Sequence, residues 1–378
     1  MKPVLPHLPR PDTDALAHSR RVMEHVRQLI ARHGDWLSLY DYINAVLFAP
    51  TLGYYVSGTR KLSGDIDGSD FVTAPELTPL FARVWAKPIA DALAKSHVPC
   101  VLELGAGSGA FAAELLKTWM SRHVDIERYA ILERSADLRV RQQEYIRHHI
   151  PEMAERVIWL DHLPNTIDGV VFMNEVLDAI PPHVVSRRNG VWLEQGVVFE
   201  HDRLAIEAKP LTESILLQAA QKRFPPDGDY TAEINLDAEA LIETLARALV
   251  AAKGHHTLWV VDYGFERGAH LPEHYADGTL RAYYRHHLLD DIFYLPGLID
   301  ITAHIDFVSI LEAAQRGELV LANFQTQREW LLSHGLLDEL QRCGAPNTPE
   351  AVQTLIAPDA MGNIFKTLEL ESKDAVLK

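Results

Sequence analysis

Val101-Leu102-Glu103-Leu104-Gly105-Ala106-Gly107-Ser108-Gly109-Ala110-Phe111 runs from a strand pattern into a glycine loop and then into a helix. Three glycines stand at alternate positions, and the helix that follows carries Phe111, Leu115, Leu116 and Trp119 on one face. Glycines so spaced let the backbone turn sharply and let a flat ligand lie against it without interference from Cβ atoms. The helix start just beyond supplies free N–H groups. Such a unit opens a parallel α/β sheet that holds a nucleotide or nucleoside at its carboxyl edge. Gly105-x-Gly107-x-x-Ala110 also satisfies the dinucleotide fingerprint, so the loop alone leaves the ligand open.

Downstream the pattern is regular. Strands are expected at Cys100–Leu104, 129–132, Val157–Leu160 and 169–173, with helices from the glycine loop to about His123 and from Ser135 to His148. Alternating strands and helices of this length indicate a mostly parallel sheet with helices on both faces. The alternation pauses at a hairpin turning on Asn189-Gly190. A mixed segment follows to about 230, then a helix from Leu236 to about Ala252 and a buried strand closing on Asp262-Tyr263-Gly264. Residues 266–306, rich in His, Tyr, Asp and Pro, read as a second insertion. A helix over 308–315, a strand over 319–324, a helix over 327–334 and a strand over 364–370 complete the sheet. Upstream lie a Pro-rich arm, a helix over 15–33 stopped by Gly34, and a helix capped by Ser38. A Gly- and Asp-rich loop over 53–76 leads to a helix capped by Thr78. The expected organisation is an N-terminal helical extension and lid loop over 1–95. The sheet domain spans 96–378, with insertions at about 180–235 and 266–306.

Composition narrows the function. The 378 residues carry 36 Lys+Arg against 52 Asp+Glu, a net charge of −16, which argues against bulk binding of nucleic acid or anionic membrane. An acidic surface serves solubility first and a basic protein partner second. Cys100 and Cys343 form no disulfide framework, in keeping with a reducing compartment. No apolar run reaches the ~18 residues of a membrane span. The first residues lack a secretory apolar region, and with Asp12, Asp14 and Glu24 they do not read as a transit peptide. The expected location is cytoplasmic.

The chemistry gathers at strand ends. Glu133 closes the second strand, where a carboxylate can accept from both hydroxyls of a ribose; its alternative role is to stabilise the helix that starts at Ser135. Asp161, at the end of the third strand, has the address of a partner for an adenine amino group. Glu103 is a carboxylate inside an apolar strand and needs a partner. A cationic ammonium or sulfonium ligand could supply one, and so could an arginine of the chain. No Lys or Arg occurs between Val98 and Leu116 to complement phosphates. Both facts favour S-adenosylmethionine over NAD(P). The fourth strand runs into Asn174-Glu175, an amide and a carboxylate able to orient a nitrogen nucleophile and hold its positive charge. Asp178 could join them or cap a short helix. Methyl transfer is a displacement at a sulfonium and needs in-line positioning more than covalent catalysis. The histidines form adjacent pairs (148–149, 255–256, 286–287), a geometry that does not aim two imidazoles at one ion, and Pro272 interrupts His270–His274. No metal is expected.

Gly53-Tyr54-Tyr55, Asp70-Phe71-Val72-Thr73-Ala74-Pro75-Glu76, the glycine loop, Asn174-Glu175-Val176-Leu177-Asp178-Ala179, Asp262-Tyr263-Gly264, Gly278-Thr279-Leu280-Arg281-Ala282-Tyr283 and Pro296-Gly297 through Phe307 resemble, in this order, the MidA family of S-adenosylmethionine-dependent methyltransferases. That family includes a mitochondrial complex I assembly factor with protein-arginine methyltransferase activity. The likeness spans about residues 38–370. It departs from the pattern in the four residues separating Gly64-Asp65 from Asp70-Phe71 and in Ala74, where serine is commoner. The resemblance implies a class I seven-strand, Rossmann-like methyltransferase fold. It also implies that Glu103, Gly105, Gly107, Gly109 and Glu133 hold the cofactor, and that the loop ending in Thr73, Pro75 and Glu76 packs over it. Asn174 and Glu175 would then lie at the acceptor site.

The leading expectation is therefore an S-adenosylmethionine-dependent methyltransferase acting on a protein nitrogen, arginine favoured, with a link to respiratory complex assembly. Glu175, with Asp178, would grip the guanidinium, while Tyr263 or His286 would shape the pocket. A protein substrate, no nucleic acid, no membrane insertion and a homodimer complete it. An NAD(P)-linked oxidoreductase and a non-catalytic assembly or scaffold protein are the alternatives.

Overall fold

A computed structural model describes residues 8–57, 73–212, 214–267, 278–343 and 349–372. They fall into two compact units. One lies within Val72–Leu177, Glu239–Gly264 and Ile305–Lys378, the other within Met1–Phe71, Asp178–Ala238 and Phe265–His304.

The first of these units is built on an eight-stranded sheet. In spatial order the strands are Leu319–Thr326, Phe365–Ser372, Thr257–Phe265, Val170–Asn174, Cys100–Leu104, Arg128–Leu132 and Val157–Leu160, and Ile305–Asp306 pairs with Thr257–Phe265. From Thr257–Phe265 to Val157–Leu160 every pairing is parallel. Phe365–Ser372 runs antiparallel to both its neighbours. Chain order reverses between Cys100–Leu104 and Val170–Asn174, the place where open α/β sheets leave a crevice at their carboxyl ends. Gly105 follows one of these strands and Asn174 ends the other.

Period-2 alternation explains why these strands are apolar on both sides. Val101, Tyr129, Ile131, Val157, Val170 and Phe172 share one core with Phe81, Trp85, Phe111, Leu115 and Trp330. Leu102, Leu104, Ala130, Val171 and Met173, which point the other way, are buried too. Phe172 stacks on Phe111 at 4.3 Å, and Trp85 lies against Phe172, Trp259 and Trp330. This packing sets the helices Leu80–Leu93 and Ala110–Ser121 against the strands that carry the glycine loop.

The other unit is antiparallel. Val191–Glu200 pairs with Leu37–Ser38, His183–Arg188 and Arg203–Pro210, and His183–Arg188 pairs with Tyr230–Ile234. A second sheet joins Arg281–Tyr284 to His287–Leu289 and Asp300–Thr302. The helices Thr13–Arg32 and Leu39–Phe48 contribute Val22, Val26, Tyr42, Ile43 and Val46 to a core shared with Tyr294, Ile299 and Ile301. The expected hairpin forms with Arg188 opposite Val191, and both turn residues adopt positive φ (Asn189 50°, Gly190 81°), as the turn demands.

Most expected boundaries move by one or two residues. Three elements of the mixed segment were not anticipated: the strands Arg203–Pro210 and Tyr230–Ile234 and the helix Ser214–Arg223. Nor were the helices Leu336–Cys343 and Pro349–Ile356, or strands within the 266–306 insertion. The lid expected over 53–76 falls largely outside the described residues, as do His270 and His274. Among the described residues no helix is long and apolar enough to cross a membrane.

Candidate active site

The glycine loop forms the floor of the crevice edge. Gly105, Gly107 and Gly109 have φ of 64°, 54° and 88°, in the left-handed region that side chains resist. A Cβ added at Gly107 would meet nothing within 4 Å, so open ground lies above that residue. The Ser108 side chain hydrogen-bonds the Glu76 carboxyl, which burial pushes up and this bond pulls down. Glu76 belongs to the short helix Ala74–Leu77, whose N-cap is Thr73 and whose first turn contains Pro75. The structure thereby joins the end of the 53–76 segment to the loop.

Glu133 is held by its own chain. Its Oε1 accepts from the Ser135 N–H at 2.8 Å and its Oε2 from Gln142 Nε2 at 3.0 Å. Burial pushes this carboxyl up; the Ser135, Gln142 and Arg134 donors and the charge of Arg139 oppose it. A carboxylate offers about four acceptor positions, so capacity for a ligand hydroxyl remains. Both roles considered for Glu133 are thus compatible: one oxygen supports the start of helix Ala136–His149, and the group still faces the loop through Gln142, which also donates to Gly107 O at 3.0 Å.

Glu103 is buried, and its Oε2 accepts from the Tyr129 hydroxyl at 2.7 Å. Its partner within the chain is therefore a phenol on the adjacent strand, not an arginine. Burial, with a smaller push from Glu133, raises its carboxyl to about 8 against the pull of the Tyr129 hydrogen bond.

At the other side of the switch point, Asn174 Nδ2 donates to Glu175 Oε1 at 2.9 Å, and the Ala74 N–H reaches the same oxygen at 3.4 Å. Asn174 Oδ1 is buried, and among the described residues no donor reaches it. Glu175 has φ of 53°, a conformation that costs a non-glycine residue about 1–2 kcal/mol, while its N–H donates to Val261 O at 2.9 Å. Strain of this kind concentrates at functional sites. Asp262 clamps the turn, its Oδ2 accepting from the Leu177 N–H at 3.0 Å. Tyr263 lies edge-on to Phe365 at 5.3 Å.

Not every expected residue joins this group. Asp161 is mostly exposed and pairs with Arg139 at 2.8 Å. Asp178 and His286 belong to the antiparallel unit, where the Asp178 carbonyl accepts from Ala303 N–H and His286 sits at a positive-φ turn between two strands. Sequence reasoning missed Ser108, Tyr129, Gln142, Trp159 and Asp262 as members of the site. Only Asp262 had a signal, at the carboxyl end of a strand. Among the described residues no group of three or more His, Cys, Asp or Glu is placed to hold a metal ion.

This arrangement suits a nucleoside better than a dinucleotide. It offers an open glycine floor, a carboxylate with spare acceptor capacity, a buried amide oxygen awaiting a donor, and no basic residue in the loop for a pyrophosphate. When bound there, S-adenosylmethionine supplies an electrophilic methyl group.

Comparison with known proteins agrees. Residues 83–325 match a family model described as "Putative S-adenosyl-L-methionine-dependent methyltransferase". A Burkholderia thailandensis protein crystallised with S-adenosyl-homocysteine shares 38% identity and a TM-score of 0.89, covering 96% of this chain and 95% of its own. Proteins named "Protein arginine methyltransferase NDUFAF7, mitochondrial" are 24% identical, from Danio rerio over 92% of this chain and 86% of the relative, and from Homo sapiens over 92% and 83%. The NAD(P) alternative falls. So does the cytoplasmic expectation, since these relatives are named as mitochondrial. The absence of a cysteine framework from the sequence fits a reducing environment without saying which compartment provides it. By its match over most of its length, its fold and its loop, the chain belongs to the S-adenosyl-L-methionine-dependent methyltransferase family.

Proposed function

We propose that this enzyme methylates a nitrogen of a protein side chain, with the arginine guanidinium as the favoured acceptor, in connection with respiratory complex I assembly. The observation that carries the reading is the Asn174–Glu175 pair at the switch point: a buried amide oxygen without a donor beside a carboxylate in a strained backbone. A guanidinium would bring an N–H donor to that amide oxygen and a positive charge beside the carboxylate. Asn174 Oδ1 would accept from the reacting nitrogen and Glu175 would hold the charge. As the N–C bond forms and the C–S bond breaks, the electron pair leaves with sulfur, and the nitrogen's proton passes to Glu175 or to water. Tyr263 is proposed to line the acceptor site beside them. Glu133 is assigned to the ribose, Thr73, Pro75 and Glu76 to the cover of the cofactor, and Glu103 to its cationic end. The names of the relatives support arginine as the acceptor.

Methyl-proteomics of cells with and without the gene tests the reading, with Glu175→Gln as the second arm. Loss of methylarginine at defined protein sites in both is expected. Unchanged methylarginine, or loss confined to a small molecule, overturns it.

A further inference from the structure

Gln142 lies on the helix Ala136–His149, fully buried, between Leu138 and Ile146 on the buried face. Its amide makes three hydrogen bonds. Nε2 donates to Gly107 O at 3.0 Å and to Glu133 Oε2 at 3.0 Å, and Oε1 accepts from Trp159 Nε1 at 2.9 Å. An indole N–H can only donate, so the oxygen of the amide must face Trp159. Both N–H groups must then face the loop carbonyl and the carboxylate. The amide orientation is set by chemistry and has no alternative that satisfies all three partners. Arg139, one turn earlier, adds bonds from NH2 to Glu133 O and Leu160 O, so the helix holds the ends of two strands while Gln142 holds the loop.

We infer that Gln142 is a positioning residue for the cofactor: it locks the Glu133 carboxylate and the Gly107 backbone into one unit, and so sets the geometry in which the ribose hydroxyls are read. This rests on the assignment of Glu133 to the ribose. A residue whose only task is to fill the space under the loop would need neither donor. Here both are spent on the two groups assigned to the ligand, and the third bond satisfies the amide oxygen.

The test is calorimetry on the full chain with S-adenosylhomocysteine and its 2′-deoxy analogue, for the wild type and for Glu133→Ala, Gln142→Met, Gln142→Glu and Trp159→Phe. The wild type is expected to prefer the ligand that keeps its 2′-hydroxyl. Gln142→Met should lose about tenfold or more in affinity for S-adenosylhomocysteine, the scale of one hydrogen bond to a charged group, and most of that preference. Gln142→Glu, nearly unchanged in volume, leaves at most one donor for two acceptors and should weaken the same preference where the Met variant fails to fold. Trp159→Phe keeps both donors and should keep the preference. Loss of the preference in Glu133→Ala but not in either Gln142 variant overturns the Gln142 inference alone. A preference retained in Glu133→Ala overturns the ribose assignment beneath it. Equal weakening of both ligands in the Gln142 variants would show a purely structural residue and overturn the inference.

Discussion

Two buried-edge glutamates sit beside two positive-φ glycines in different parts of the molecule, and they are put to opposite uses. At Gly278, with φ of 81°, an added Cβ would come within 2.3 Å of Glu233 Oε1. That carboxylate accepts from the Thr279 N–H at 2.8 Å, the Thr279 hydroxyl at 3.0 Å and the Leu280 N–H at 3.1 Å. At Gly107 an added Cβ would meet nothing within 4 Å, and Glu133 nearby keeps acceptor capacity. One glycine makes room for a side chain of its own protein. The other leaves open ground, which the proposed function gives to the cofactor. A glycine beside an acid is therefore no signature in itself; what separates a structural joint from a binding floor is whether the space is already filled.

The comparison can be broken at several points. Replacing Glu233 with alanine leaves the Thr279 and Leu280 N–H groups without their acceptor and should cost about 2–3 kcal/mol, seen by scanning calorimetry as a clear fall in Tm. The surviving folded protein should bind S-adenosylhomocysteine as before. An unchanged Tm would show that the joint carries no weight. Gly107→Ala should do the reverse. The left-handed backbone costs about 1–2 kcal/mol, while the methyl group occupies the ligand's ground, so affinity should fall by at least about tenfold. Wild-type affinity in this variant would mean that the floor lies elsewhere.

Glu103 sharpens the contrast through pH. Its carboxyl is raised from 4.5 to about 8 in the folded chain. Between those values the folded form keeps a proton that the unfolded form has lost, so this group's contribution to stability is fully present below about 4.5 and declines as pH rises towards 8. Glu103→Gln should flatten that part of the Tm–pH profile; a slope identical to the wild type would remove Glu103 as its source. A cationic ligand beside Glu103 should also expel the proton, making the binding enthalpy at pH 7 depend on the buffer's ionisation heat. The smallest effect is expected at Asp161. If its pairing with Arg139 is its main occupation, Asp161→Ala should change ligand affinity by less than about fivefold, the scale of an exposed ion pair. A larger loss would favour the adenine contact.

How much of this could be read in advance differs between the two units. The parallel sheet announced itself because its strands are apolar on both faces and the first two, Cys100–Leu104 and Arg128–Leu132, are each followed by a helix. The antiparallel unit did not. Arg203–Pro210 is largely exposed, with Arg203, Glu207 and Lys209 breaking any apolar run, so nothing local marks it as a strand. Its existence depends on the neighbour Val191–Glu200. At the site, glycines and strand-end acids were legible because their positions follow from the fold. Gln142 was not: its spacing of four from Leu138 and Ile146 puts it on the buried face, but its role depends on partners distant in sequence, Gly107 and Trp159. The choice of Tyr129 as the partner of Glu103 was likewise hidden until the register of two parallel strands, with Tyr129 opposite Val101 and Ile131 opposite Glu103, brought them onto one face.

The order of strands also bears on how the chain is made. Phe365–Ser372 lies between Thr257–Phe265 and Leu319–Thr326, so among the described strands of this sheet the one synthesised after the others closes it. Until then Thr257–Phe265 presents an open hydrogen-bonding edge flanked by apolar residues, the kind of surface on which nascent chains aggregate. A premature stop shortly before Phe365 should thus yield insoluble protein even though every residue of the glycine loop, Glu133 and Asn174-Glu175 has been synthesised.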